Sequence, residues 1–286
     1  MADHFPQGSV IRRVNIEPAI MFGAGRALLM QLAHPAVAAG VQDHSEFQKN
    51  PFKRLQGTLE ATYAVVFGSD ALAAGVGRRI HWIHEFVVGP GYSANDPSNL
   101  MWVHATLCDT ALRCYEDLVE PLSDADRETY YQEMKHVAVV FGVALDRQPE
   151  TLADFQDHLA KTMADMDVSP AGRELIGFIL DPKLPLNLHV PLRPVLALQR
   201  LFTLGLLPEP IRDQLDVEWD EADEARYLRA QRAVRTVFRA VPRPLRTAGN
   251  RLSGPLMLRM ATRHVRQFDA QQRARAAVGS PVTAPS

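Results

Sequence analysis

The sequence predicts an all-α protein with one large helical domain of roughly nine to eleven helices and a basic helical extension at its C-terminal end. Two observations carry this prediction. Apolar residues recur with helical spacing in nearly every segment, and few segments alternate strictly between apolar and polar residues as strands do. With 286 residues, 47% of them hydrophobic, the chain can bury a large core, which excludes a disordered protein.

Helix boundaries in the N-terminal half follow from proline, glycine and capping residues. Asp96 followed by Pro97 is typical of a helix start, because an aspartate caps the first amides and a proline suits the first helical position. Pro35 is expected to bend or restart the long segment in which it lies. The predicted elements are a short lead-in at Val10–Ile16 and helices at Glu17–Val41, Pro51–Phe67, Asp70–Val87 and Pro97–Val119.

The C-terminal half begins with three further capped helices, which start at Ser123, Pro149-Glu-Thr151 and Ser169-Pro170 and end near Phe141, Met166 and Leu180 respectively. A connector rich in proline and leucine (181–210) leads into an apolar helix at Leu192–Leu206. Arginine-rich helices at Trp219–Ala240 and Gly254–Gln272 follow. We therefore divide the chain into a helical body (1–210), an arginine-rich helical extension packed on it (211–276) and a disordered tail (277–286).

The charge is distributed unevenly. Net charge is −2, yet residues 226–275 contain thirteen arginines and a single acid, Asp269. Three interpretations stay open: a solvated face that neutralises the acidic body, a peripheral contact with a membrane surface, and steering of an anionic substrate. Nucleic acid is disfavoured as a partner, because the region contains no known nucleic-acid-binding motif.

The two cysteines and the N-terminus indicate a cytoplasmic protein. Cys108 and Cys114 lie six apart on one predicted helix and point in different directions, so a disulfide between them is not expected and a reducing compartment fits. The chain starts without the basic and apolar regions of a signal peptide. The most apolar early segment contains Arg26, Gln31 and His34, which favours a buried helix over a membrane span.

The most informative stretch runs from Arg78 to Tyr115. It contains His81 and His84, which share one helix face, then a Gly-Pro-Gly turn and a second helix with His104 on an apolar turn. Two antiparallel helices would each offer an imidazole to one interior space. Imidazole is the commonest metal ligand in proteins, although a single helical histidine is more often a hydrogen-bonded core residue.

Several motifs in this order resemble the catalytic domain of the MpaB and rubber-oxygenase (latex clearing protein) family. They are Leu32-Ala-His-Pro-Ala-Val-Ala-Ala-Gly-Val41, His44-Ser45, Pro51 through Arg54 to Thr58, Tyr92-Ser-Ala-Asn-Asp-Pro97 and Trp102-Val-His-Ala-Thr-Leu107. The resemblance covers about residues 15–160. It implies an enzyme that binds haem b through iron and uses dioxygen as co-substrate on a hydrophobic, unsaturated or isoprenoid-like small molecule.

The resemblance also implies the site residues. His84, which precedes a Val-Val-Gly turn, matches the histidine that ligates the haem iron, and His81 is its rival one turn earlier. Arg54 and Thr58 match a pair that lines the pocket and contacts a propionate or dioxygen. His104 is expected to anchor a hydrogen bond in the core beside the haem. His34 and His44 are expected to serve packing or outer hydrogen bonds.

Two departures from the family pattern keep other functions open. Val88 stands where the family often has an arginine, and Gly57 stands where rubber-cleaving relatives carry a lysine, so a distal lysine ligand is not expected. The alternatives are a helical protein that binds haem or lipid without turnover, and a haem-free membrane adaptor that depends on the basic region. A di-iron bundle is disfavoured, because Glu133-Met-Lys-His136 is the one Glu-x-x-His match.

Overall fold

A computed structural model describes residues 3–44, 51–181, 186–215 and 217–278, with the side chains of 51–55, 186–191 and 278 excluded. The described residues are mainly helical, with two short strands and two 3₁₀ helices, at Pro18–Gly23 and Leu145–Arg147. The α helices are α1 Val10–Asn15, α2 Ala24–Ala33, α3 Pro35–His44, α4 Pro51–Phe67, α5 Asp70–His84, α6 Pro97–Leu118, α7 Asp124–Val140, α8 Leu152–Ala164, α9 Pro170–Leu180, α10 Leu186–Leu206, α11 Glu209–Asp213, α12 Glu221–Ala240, α13 Arg243–Arg246 and α14 Ala248–Val278. The all-α prediction is confirmed.

The predicted capping residues begin the helices as expected. The Asp96 carboxylate accepts the Ser98 amide at 2.8 Å, with Pro97 in the first turn of α6. Ser123 and Ser169 cap α7 and α9 in the same way, and Thr151 forms a reciprocal capping box with Asp154 at the start of α8. Each cap satisfies amides that have no partner within the helix.

Four boundaries differ from the prediction. The segment 17–41 begins with a 3₁₀ helix in place of an α helix, whereas its restart as α3 at Pro35 is as expected, because Pro35 has no amide to continue the ladder. α5 ends at His84 and a two-residue hairpin follows, with strand β1 (Val88–Gly89) paired to β2 (Tyr92–Ser93). α10 begins before Leu192, inside the predicted connector. α14 begins before Gly254 and extends to residue 278, past the expected start of the tail, of which 279–286 lie outside the described residues.

The core forms around α6, whose buried face contacts α2, the first 3₁₀ helix, α7 and α12. Trp102 donates its indole N–H to the carbonyl of Met30 at 3.0 Å, which ties α6 to α2. Gly23 of the 3₁₀ helix lies directly against Thr110 and Cys114, so a side chain there would clash with α6. Both cysteines are buried and unpaired, in agreement with the sequence prediction.

The basic C-terminal helices pack on the body. The Glu17 carboxylate, which is fully buried, accepts two hydrogen bonds from Arg246 at 2.8 and 3.0 Å and lies 3.5 Å from Arg243. This hydrogen bond to Glu17 raises the pKa of Arg246. α14 contacts both α4 and α5, where Val265 fills the space left by Gly75. A buried ion pair and an apolar interface therefore hold the extension in place.

Within the described ranges, none of the helices combines the length and apolar character that crossing a bilayer requires.

Candidate functional site

The orientation of α5 separates the two candidate histidines. Ala73, Gly77, Ile80 and His84 lie on one face, because they are spaced by three or four residues. This face turns into the molecule: Ala73 and Gly77 are buried, and Gly77 lies against the Val140 carbonyl of α7. His84 continues it about 10 Å further along the helix, two turns beyond Gly77, and is half-buried.

His81 lies at the edge of this face, four residues after Gly77 and three before His84. Its side chain is 61% exposed, and its Nε2 is 3.9 Å from the Glu85 carboxylate, one turn on. An exposed imidazole is hydrated and does not line an interior space. The spacing in the sequence groups the two histidines together, but their exposure differs, since His84 is half-buried and His81 is exposed.

The β1–β2 hairpin after His84 is fixed from two sides. On the α3 side, His44 Nε2 lies 3.0 Å from the Val88 carbonyl, and the Tyr92 hydroxyl donates to Asp43 at 2.6 Å. On the α6 side, the Asn99 amide donates to the Ser93 carbonyl at 2.9 Å. These bonds hold the chain that leaves His84 in one conformation.

The Asn95 amide adds another constraint, since it donates to the His81 carbonyl at 3.1 Å in the last turn of α5. Gly91 at the hairpin tip has φ +79°, a conformation that favours glycine. The side-chain amides of Asn95 and Asn99, the Ser93 carbonyl and the glycine at the hairpin tip thus keep the end of α5 next to the start of α6.

The structure brings two of the resembling motifs together. The His34 ring centroid lies 6.1 Å from that of Trp102, although the residues are far apart in the sequence. Burial lowers the pKa of His34, and the nearby Asp96 carboxylate opposes this shift in part. Its Nδ1 is buried without a hydrogen-bond partner in the described part of the chain. His34 therefore lies at the same end of the bundle as the start of α6.

His104 is a neutral imidazole in the core. It is 5% exposed, and burial lowers its pKa to about 4. The sequence predicts a hydrogen bond for this residue, but its Nε2 is buried and no group among the described residues bonds to it. A buried polar atom without a partner is costly, and such atoms often mark a site where a further group binds.

The other half of the candidate site is the N-terminal half of α4. Only two residues separate α4 from α5, and the two helices pack against each other. Thr58 is half-buried here. The side chain of Arg54 lies outside the described residues, so its predicted role stays a prediction. Gly57 is exposed and has open space around it.

Among the described residues, no three histidine, cysteine or carboxylate side chains come together in an arrangement that could hold a bare metal ion. Glu133 of the disfavoured di-iron motif accepts the backbone amide of Ile11 at 2.6 Å, a structural role in the packing of α1 on α7. A haem iron needs a single axial imidazole from the protein, which His84 can provide.

One buried charge cluster was not predicted as part of a site. Arg26 is 2% exposed and donates to the Asp109 carboxylate at 2.5 Å, to the Leu206 carbonyl at 2.8 Å and to the Thr110 hydroxyl. Arg26, Asp109 and Leu206 line a cleft of about 400 Å³ that α8, α11 and α12 also border. The position of Arg26 in the apolar segment 19–41 indicates a buried arginine, which needs a carboxylate partner, but the sequence alone does not show that this partner is Asp109.

Comparison with known proteins agrees with these motifs. The model of the family described as "ER-bound oxygenase mpaB/B'/Rubber oxygenase, catalytic domain" matches residues 11–239 and so ends inside α12. An uncharacterized protein of Mycobacterium bovis is 27% identical over 226 residues, covering 75% of this chain and 87% of the relative, and an uncharacterized protein of Mycobacterium tuberculosis matches equally well. No solved structure matches significantly. The chain belongs to the MpaB and rubber-oxygenase catalytic-domain family.

Proposed function

We propose that this protein is a haem b-dependent oxygenase that uses dioxygen on a hydrophobic, unsaturated small molecule of the isoprenoid type. The family match supports oxygenase chemistry. The observation that carries the haem assignment is the position of His84, half-buried in the last turn of α5. The resemblance implies that the family's iron ligand lies at His84, and the rival His81 is 61% exposed.

In this proposal His84 holds the haem iron through one ring nitrogen. The hairpin bonds hold the backbone at the end of α5, and a fixed backbone favours the fixed imidazole direction that a stable axial ligand requires. When bound, haem supplies the activation of dioxygen that protein side chains alone do not provide. The chain's own contribution is ligation, orientation and exclusion of water.

Thr58 and Arg54 are assigned to the pocket wall on α4. A threonine hydroxyl can donate a hydrogen bond to a bound oxygen atom, and a guanidinium can pair with a propionate. His104 stays neutral at physiological pH because its pKa is about 4, so it can offer a hydrogen bond without adding a buried charge. The apolar surroundings of α6 suit a hydrophobic substrate.

An oxygen-uptake assay with a panel of unsaturated isoprenoids tests the proposed activity. We expect haem-loaded protein to consume dioxygen with at least one member of the panel, and Thr58→Val to lower the rate at unchanged haem content. Thr129→Val is the matched control, because Thr129 is an exposed helix threonine whose hydroxyl donates to the carbonyl one turn earlier, that of Ala125.

Absence of uptake across the panel, with haem bound at full occupancy, would refute the oxygenase proposal. It would favour the alternative in which the protein binds haem or lipid without turnover. Equal rates of oxygen uptake for Thr58→Val and wild type would show that Thr58 has no role in the proposed pocket.

A further inference from the structure

We propose that the outward face of α14, together with α13, is a docking surface for an anionic lipid bilayer. It lies beyond the matched catalytic region, which ends at residue 239, and does not depend on whether the protein binds haem. Three observations support the proposal: which residues lie on the outer side of α14, how exposed its leucines are, and the lack of ion pairs at its arginines.

The two faces of α14 are sharply different. Its inner face packs on α4 and α5, where Ala261, Val265 and Phe268 are 1–8% exposed. At about 100° per residue, the opposite side of the helix carries a stripe about 80° wide and about 20 Å long. The members of this stripe, which we call the α14 stripe, are Leu252, Leu256, Arg259, Arg263 and Arg266.

The stripe begins with apolar residues that the body does not cover. Leu252 is 81% exposed and Leu256 is 59% exposed, and Leu245 on α13 is 68% exposed. Single exposed leucines are ordinary on protein surfaces. Three such leucines within twelve residues, two of them one turn apart on the outer face of a helix, form an apolar edge that suits burial between lipid headgroups.

The arginines beside these leucines have their charges available. Arg246 and Arg243 form ion pairs with Glu17. Four other arginines are exposed and make no ion pair with any described residue: Arg251, Arg259, Arg263 and Arg266. The one acid of the region, Asp269, lies 3.4 Å from Arg78. The surface is therefore purely cationic next to its leucines.

This combination identifies the occupant by its chemistry. Arginine guanidinium groups bind phosphate oxygens, and burial of the adjacent leucine side chains away from water is favourable. A bilayer with anionic headgroups offers phosphates and an apolar region close to one plane. A solvent-exposed face that only neutralises the acidic body would contain arginines but would have no reason to expose leucines. A helix lying in the plane of the interface needs both, at the periodicity that α14 shows.

Flotation with phosphatidylcholine vesicles, with and without phosphatidylserine, tests the proposal on the full chain. We expect binding to the anionic vesicles alone, weakened by salt, because surface charges are screened. Replacing Arg259, Arg263 and Arg266 together with glutamine should weaken partitioning about a hundredfold, since each arginine near an anionic surface contributes about fivefold. Leu252→Gln with Leu256→Gln should weaken it about tenfold.

The matched control replaces three exposed arginines on other elements, Arg147, Arg193 and Arg229, with glutamine, which removes the same net charge. We expect this variant to bind nearly as wild type does. Equal losses in the control and the stripe variant would show that net charge alone acts and would overturn the proposal. Two other results would also overturn it: no binding to anionic vesicles, or stripe-dependent binding to an immobilised acidic polypeptide without vesicle binding.

Discussion

Acid should destabilise this protein through His104. The imidazole is buried and its pKa is about 4 in the folded chain, against an ordinary value near 6.5 in the unfolded chain. Above pH 6.5 both states are neutral, so the residue has no effect on stability there. As the pH falls below 6.5 the unfolded chain gains a proton and the folded chain does not, which favours unfolding.

The size of the effect follows from the two pKa values. Linkage gives a loss of about 2 kcal/mol of unfolding free energy between pH 7 and pH 5, and about 3 kcal/mol by pH 4, where the folded imidazole also begins to protonate. His34, whose pKa is also lowered by burial, should add a smaller loss in the same direction.

The assay is urea unfolding of wild type and His104→Leu at a series of pH values. The variant cannot titrate at this position, so its unfolding free energy should fall by about 2 kcal/mol less than that of wild type between pH 7 and pH 5. His136→Gln, a change at an exposed histidine, is the control and should keep the wild-type pH dependence. Parallel pH curves for wild type and His104→Leu would refute the assignment of His104 as a neutral core residue.

Two further changes test how the helices are held together. Arg246→Ala should lower the unfolding free energy, measured by urea titration, by about 3 kcal/mol, because it leaves the fully buried Glu17 carboxylate without its closer partner. A change below about 0.5 kcal/mol would contradict the buried ion pair. Gly77→Ala should lower stability by about 1–2 kcal/mol and reduce haem retention, because the new methyl group meets the Val140 carbonyl and pushes α5 from α7. Gly57→Ala, which meets open space, is the matched control and should be neutral or slightly stabilising.

Local chemistry made much of the fold predictable. Asp96, Ser123, Thr151 and Ser169 each begin a helix as their capping preference indicates. The start of α14 was predicted six residues too late, at Gly254 instead of Ala248. Pro255 lies inside α14, on a helix that its inner face holds against α4 and α5.

The sequence predicted which motifs form the candidate site, but not how their side chains are placed in the folded protein. Spacing places His81 and His84 on neighbouring turns, but only the folded structure shows that His84 is half-buried and His81 is exposed. The contacts of Glu17 with Arg246, and of Arg26 with Asp109, join residues too distant in sequence for periodicity to pair them. Such pairs depend on the tertiary arrangement of helices.

An absorption spectrum of the purified protein, with a pyridine haemochrome determination, tests the central claim most directly. His84→Ala and His81→Ala are measured beside wild type after expression with ample haem. We predict a Soret band at about one haem per chain in wild type and in His81→Ala, lost or shifted in His84→Ala. A colourless wild-type protein, or equal spectra for wild type and His84→Ala, would contradict the account.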